Sequence, residues 1–220
     1  MRQWSIFDKG RGGNRNPKGR PPVEGSGVSH STRERVTRHD PVHVTMSLKT
    51  GLPPLRGEDL ASVIVNAIDA AKGRHRCAIV HYCVMNDHVH LIVEAPDEGA
   101  LASAMNGLSV RIARGLNRAL GRKGKAFSDR YHAHYLRTPR EAFCAVRYVL
   151  LNARKHGLRL AHNVLDALSS ARWFPNWSHS ETVPESIPED APVSAPTCWK
   201  LTKGLLRYGS IDPNHYSHPA

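Results

Sequence analysis

No stretch of the 220-residue chain approaches the roughly 18 consecutive apolar residues that a membrane span needs, and the opening MRQWSIFDKGRGG has no signal-peptide core. Both absences point to a protein working in the cytoplasm. Cysteine is scarce, and Cys77, Cys83, Cys144 and Cys198 form no C-x-x-C pair. That argues against a zinc knuckle or a disulfide framework and for a reduced compartment. Acid is short as well: 19 Asp and Glu face 31 Lys and Arg, a net charge of +12. Such a balance calls for a polyanionic partner.

The shortage of acid is most complete between Gly107 and Lys125, where none occurs. Over residues 98–120 the apolar residues recur at the helical period, with Leu101, Met105, Leu108, Ile112, Leu116 and Ala119 on one face. Arg111, Arg114, Arg118 and Arg122 fall in a narrow arc beside that face, followed by Lys123, Lys125 and Arg130. A cationic stripe without a carboxylate partner is better explained as a phosphate track than as a solvated face.

Proline and glycine divide the chain. Residues 1–40 combine glycine, proline and cations into a flexible basic arm whose Lys-Gly-Arg-Pro core, within Pro17 to Pro22, suits a DNA minor groove. Residues 41–158 carry alternating strands and amphipathic helices and form the expected main domain. Residues 159–197 read as an irregular piece and an acidic proline-rich linker, and residues 198–220 as a tail that docks on the core. The order strand, helix, strand, strand, helix, strand, helix predicts an α+β fold, a central antiparallel sheet with helices packed on one face. Ala126 to Arg137 supplies the last central strand of that sheet.

His81 to Ala95, HYCVMNDHVHLIVEA, reads as a hairpin turning at Asn86-Asp87. Alternation puts His88 and His90 on one face, about 7 Å apart along the strand, with Ile92 and Glu94 beyond them, and sends Val89, Leu91 and Val93 into a core. Two imidazoles so placed suit a divalent cation that keeps other coordination positions open.

Thr138 to Gly157 is the most clearly punctuated helix. Thr138 is the N-cap, Pro139 opens the helix, Glu141 completes a capping box, and Gly157 ends it. Phe143, Val146, Val149, Leu150 and Ala153 form its apolar stripe. Tyr148 and Asn152, one turn apart, share a different face, the position of an exposed or a functional tyrosine.

A His-hydrophobic-His strand (His88-Val89-His90), a long basic helix, an Arg-Tyr-rich strand and a helix bearing Tyr-x-x-x-Asn together resemble the HUH single-strand endonucleases. Within these, the chain is similar to the single-tyrosine transposases of small bacterial insertion sequences and to their REP-associated relatives, over about His43 to Gly157. The resemblance implies the HUH, ferredoxin-like version of the α+β fold. It implies that His88 and His90 hold Mg²⁺ or Mn²⁺, with Asn152 as a polar third ligand, and that Tyr148 is the nucleophile. An amide oxygen is a weak ligand, so Glu94 or Asp87 are further candidates to complete the site. The expected activity is metal-dependent cleavage and rejoining of single-stranded DNA at hairpin-forming repeats, through a 5′-phosphotyrosine intermediate. The expected partners are single-stranded or hairpin DNA in the nucleoid and, as a possible homodimer, a second copy of the chain.

Two rivals stand beside this reading. A domesticated descendant would bind hairpin DNA or RNA with catalysis lost, and a replication initiator or relaxase of the HUH class would need a longer chain. Within the sequence, His132 and His134 form a second His-x-His pair, flanked by Tyr131 and Tyr135. They rank lower because the apolar alternation around them is weaker.

Overall fold

The computed structural model describes residues 37–178 and 187–216, so the basic arm up to residue 36, with its minor-groove core, and part of the acidic linker lie outside the described residues. Four strands form one antiparallel sheet in the order β2-β3-β1-β4, with β1 at Val42–Ser47, β2 at Ala78–Val84, β3 at His88–Glu94 and β4 at His132–Tyr135. Three helices complete the main domain: α1 (Glu58–Asp69), α2 (Glu98–Ala119) and α3 (Pro139–Lys155). A one-turn helix, α4 (Lys203–Leu206), follows in the tail. The α+β class, the element order and the hairpin at Asn86-Asp87 are those expected. Among the described residues no helix is long and apolar enough to cross a membrane.

Two differences bear on the site. The helices do not gather on one face of the sheet. Val89, Leu91 and Val93 enter a core with α1 and α2, whereas Ile92 enters a second core with α3. The alternation of β3 explains this, because its second face carries Ile92 and a pair of histidines that also need cover. The last strand, in turn, is short and lies at the sheet edge rather than in its centre. Gly124 and the polar residues around it break the pattern before His132, leaving only an isolated bridge between Leu48 and Phe127.

The caps behave as the sequence dictates. Asp97 accepts from the Ala100 N–H at 2.8 Å to start α2. Thr138 and Glu141 exchange bonds of 3.1 and 3.0 Å to start α3, and Gly157 turns the chain away at φ +87°. Where α1 crosses α2, a Cβ on Gly115 would stand 2.5 Å from Cγ1 of Val63, so only glycine permits that approach.

The tail closes the second core. Trp177, Leu201, Leu205 and Ile211 are buried with α3, and Ser194 N–H donates to the Ile79 carbonyl at 2.9 Å beside β2. As a result α3 is covered on almost every side, and its buried residues include Tyr148, Asn152 and Arg154 as well as the apolar stripe.

Candidate functional site

The two histidines of β3 end far closer than their backbone spacing suggests. Their rings stand edge to face with centroids 4.5 Å apart, and their Nε2 atoms converge to 2.9 Å. Each Nδ1 is engaged on the far side of its ring. Asp87 Oδ1 lies 2.6 Å from His88 Nδ1, and a carboxylate only accepts, so the proton of a neutral His88 sits on Nδ1 and its Nε2 lone pair faces His90. His90 Nδ1 lies 3.1 Å from both Thr45 Oγ1 and His43 Nε2. The threonine hydroxyl can donate or accept, so His90 is accommodated with its proton on either nitrogen.

This arrangement satisfies itself only with a proton or a cation between the two Nε2 atoms. With metal–nitrogen bonds of about 2.1 Å, a 2.9 Å separation subtends roughly 90°, the angle of an octahedral Mg²⁺ or Mn²⁺ sphere. Burial disfavours charge on the inner histidines. It pushes His43 down to about 3, helped by the charges of His134, His132 and His88, and it holds His90 well below the usual histidine range, helped by His43, His88, His156 and Lys155.

The opposite wall is α3. The Tyr148 ring meets His90 at 5.2 Å and His43 at 5.8 Å between centroids, edge to face in both cases. His156, two turns further along the helix, comes within 6.2 Å of the His88 ring. Asn152 lies between Tyr148 and His156 on that helix face, is fully buried, and finds no hydrogen-bond partner among the described residues for either Oδ1 or Nδ2. A buried amide without a partner, on the α3 face that also carries Tyr148 and His156, fits a divalent cation or a polar substrate group, because each buried unpaired group otherwise costs about 1–3 kcal/mol. Lys155 holds its Nζ 4.4 Å from the centre of the Tyr148 ring, and burial lowers its pKa.

Several sequence expectations change here. Tyr148 is not exposed: only 5% of it is accessible, because its ring turns toward the sheet onto His43 and His90 and Lys155 lies over it. Glu94 is far from completing the site, since its carboxylate accepts from Thr197 N–H at 3.0 Å and Cys198 N–H at 2.8 Å and so pins the tail. Asp87 stands behind His88 rather than in front of it. Among the described residues no three His, Cys, Asp or Glu side chains converge as a metal set. The second His-x-His pair is no separate centre. Pairing of β4 with β1 sets His132 opposite Thr45 and His134 opposite His43, on the same sheet face as His90. Tyr135 belongs to the core of the other face, and Tyr131 packs against it.

The basic residues divide into two groups. Arg111, Arg114 and Arg118 line a groove between α1 and α2, shared with Val63, Asn66 and Gly115, on the side of the sheet opposite α3. Arg122, Lys123, Lys125 and Arg130 lie in the loop after α2, which bonds to the end of β1 through Lys49 N–H to Ala126 O (2.8 Å) and Ser128 N–H to Ser47 O (3.1 Å). Ser47 pairs with His88, so this loop edges the histidine face. His43, Thr45, Lys155 and His156 were not singled out by spacing. The signal was present for His43 and Thr45, which alternate on β1, but only the β1–β3 register joins them to His90.

The family model described as "Transposase IS200 like" matches residues 39–149. A solved structure of a REP-associated tyrosine transposase bound to a REP hairpin superimposes with a TM-score of 0.52 and 17% identity, over 73% of this chain and 100% of that chain. At that identity the likeness is one of fold. No curated protein matches the chain.

Proposed function

The chain belongs to the IS200-like transposase family, and from that premise we propose that it is a metal-dependent single-strand DNA endonuclease and strand transferase, with Tyr148 as nucleophile. The observation that carries the reading is the convergence of His88 and His90 Nε2 at 2.9 Å beside the Tyr148 ring, which lies 5.2 Å from that of His90. His88, His90 and Asn152 would hold Mg²⁺ or Mn²⁺, which when bound polarises the scissile phosphate and neutralises charge developing on it.

The remaining steps fall to the chain's own groups. Asp87, Thr45 and His43 orient the two imidazoles. Tyr148, whose free phenol would titrate near 10, attacks the phosphorus through Oη. Its O–P bond forms as the bond to the 3′ oxygen breaks; the phenolic proton passes to solvent, and the departing 3′ oxygen takes up a proton from solvent. The 5′-phosphotyrosine that results keeps the bond energy, so a 3′ hydroxyl can reverse the step and rejoin strands. The ammonium of Lys155 offsets negative charge at the tyrosine in both directions.

Arg122, Lys123, Lys125 and Arg130, beside the histidine face, would guide the scissile strand, while Arg111, Arg114 and Arg118 would hold the backbone of a hairpin stem, the partner named for the REP-associated relative. Replacing the last three with alanine is expected to flatten the dependence of log affinity on log salt by roughly 2–3; an unchanged slope would remove them from the interface. The near-complete burial of Tyr148 favours a second reading, a hairpin-binding descendant in which catalysis is lost.

The two readings separate on a denaturing gel. The protein is incubated with labelled single-stranded hairpin oligonucleotides and Mn²⁺, beside Tyr148→Phe and an EDTA control. A slow protein–DNA band that vanishes in both controls is the expected result. Tight hairpin binding in a native gel with no such band would establish the binding-only reading.

A further inference from the structure

Residues 191–211 contain no Asp or Glu, yet carry Lys200, Lys203 and Arg207 among Trp199, Leu206 and Tyr208. This segment docks on α3 through Leu201, Leu205 and Ile211, all buried. Trp199 and Tyr208 are only partly used in that packing, and 45% and 44% of them remain exposed. Exposed aromatics on a docked element require another reason.

Their surroundings supply it. The Arg207 guanidinium lies over the Trp199 ring at 4.9 Å. The Tyr208 ring lies 5.7 Å from that of Phe143, and Arg147 covers Phe143 at 5.8 Å. Trp199 rests directly on the backbone of α4, where a Cβ on Gly204 would stand 3.0 Å from the ring. Acids that the fold or the sequence brings towards the segment are committed elsewhere or lie outside it: Glu141 caps α3, Asp40 binds Lys200 and Arg137, and Asp190 and Asp212 flank the segment. Rigid rings interleaved with guanidinium groups, for which no salt bridge forms among the described residues, are the composition on which successive bases stack while the phosphates are held. Phe143 and Arg147 precede Tyr148 on the same helix, so the patch is about one helix width, roughly 10 Å, from the nucleophile.

We propose that Trp199, Tyr208 and Arg207 form a stacking platform for single-stranded nucleic acid that flanks a hairpin, carried by the tail along the outside of the nucleophile helix. This rests on the reading of the chain as a single-strand transferase and adds to it where the flanking strand runs. The charge of the patch favours nucleic acid over a protein partner or a second copy of the chain.

Fluorescence anisotropy in EDTA tests it, using the full chain, a blunt hairpin and the same hairpin with a ten-nucleotide single-stranded extension. The wild type is expected to gain affinity from the extension. Trp199→Ala/Tyr208→Ala and, separately, Arg207→Glu are expected to lose about tenfold of that gain with blunt-hairpin affinity unchanged, whereas Trp199→Phe/Tyr208→Phe keeps it. If the wild type gains nothing from the extension, or the alanine pair and Arg207→Glu both keep the gain, the platform is overturned while hairpin binding stands. If the wild type binds neither oligonucleotide, the transferase reading itself fails. A dimer in sedimentation that Arg207→Glu converts to monomer would overturn the platform in favour of a self-interface.

Discussion

Asn152 concentrates the tension between stability and function at the scale of single residues. Both polar atoms of its amide are buried without a partner, an arrangement that weakens the metal-free protein by about 1–3 kcal/mol per group. Asn152→Leu is therefore expected to raise the thermal midpoint by a few degrees while ending metal-dependent cleavage. A lower midpoint in calorimetry would show that the amide is satisfied and has no ligand to await. His81 makes a second case away from the site. It is buried against Phe174 and Ser170, with Nδ1 3.2 Å from Ser170 Oγ, and burial pushes it down to about 3. The unfolded chain then binds a proton near pH 6.5 that the folded protein refuses, so stability is full above that pH and falls on acidification towards 3. Between pH 7 and 5 the loss amounts to roughly 2 kcal/mol. Urea titrations at the two pH values should show a drop smaller by that amount in His81→Gln; an equal drop would place the acid sensitivity elsewhere.

At the scale of elements, the strand–helix order and the capping of α3 were legible because each depends on residues close in sequence. The Thr138–Glu141 box and the Asn86-Asp87 turn need no distant partner. The burial of Tyr148 was not legible, since the face it occupies is polar by its own period and is covered by His43 and His90, which lie more than 50 positions upstream on the sheet. The same reason hid the kinship of the two His-x-His pairs: only the pairing of β1 with both β3 and β4 brings His90, Thr45 and His132 onto one face. Contacts between helices also depend on a single position. Gly115→Ala offers a better helix former but drives a methyl to 2.5 Å from the stiff Val63 side chain. Overpacking of this kind costs about 1–3 kcal/mol, so a net destabilisation of roughly 1 kcal/mol is expected in chemical denaturation. A stabilised variant would mean that α1 and α2 separate freely.

For the whole molecule, the sheet acts as a partition. One face carries the histidines and α3; the other carries α1, α2 and the arginine groove. A nucleic acid that engaged both would have to pass around an edge of the sheet, and the basic loop after α2 lies beside the histidine end. The tail closes the core on the α3 side of the sheet, with Glu94 and Asp40 acting as its anchors. The proposed function gives Tyr148 the central role, whereas Tyr135 lies in the opposite core with Tyr131 packed against it. That assignment can be read directly by mass spectrometry after tryptic digestion of the covalent protein–DNA product, in which residues 148–154 form a single peptide, YVLLNAR. The account predicts a nucleotide remnant on the tyrosine of that peptide. A remnant on Tyr131 or Tyr135 instead would contradict it.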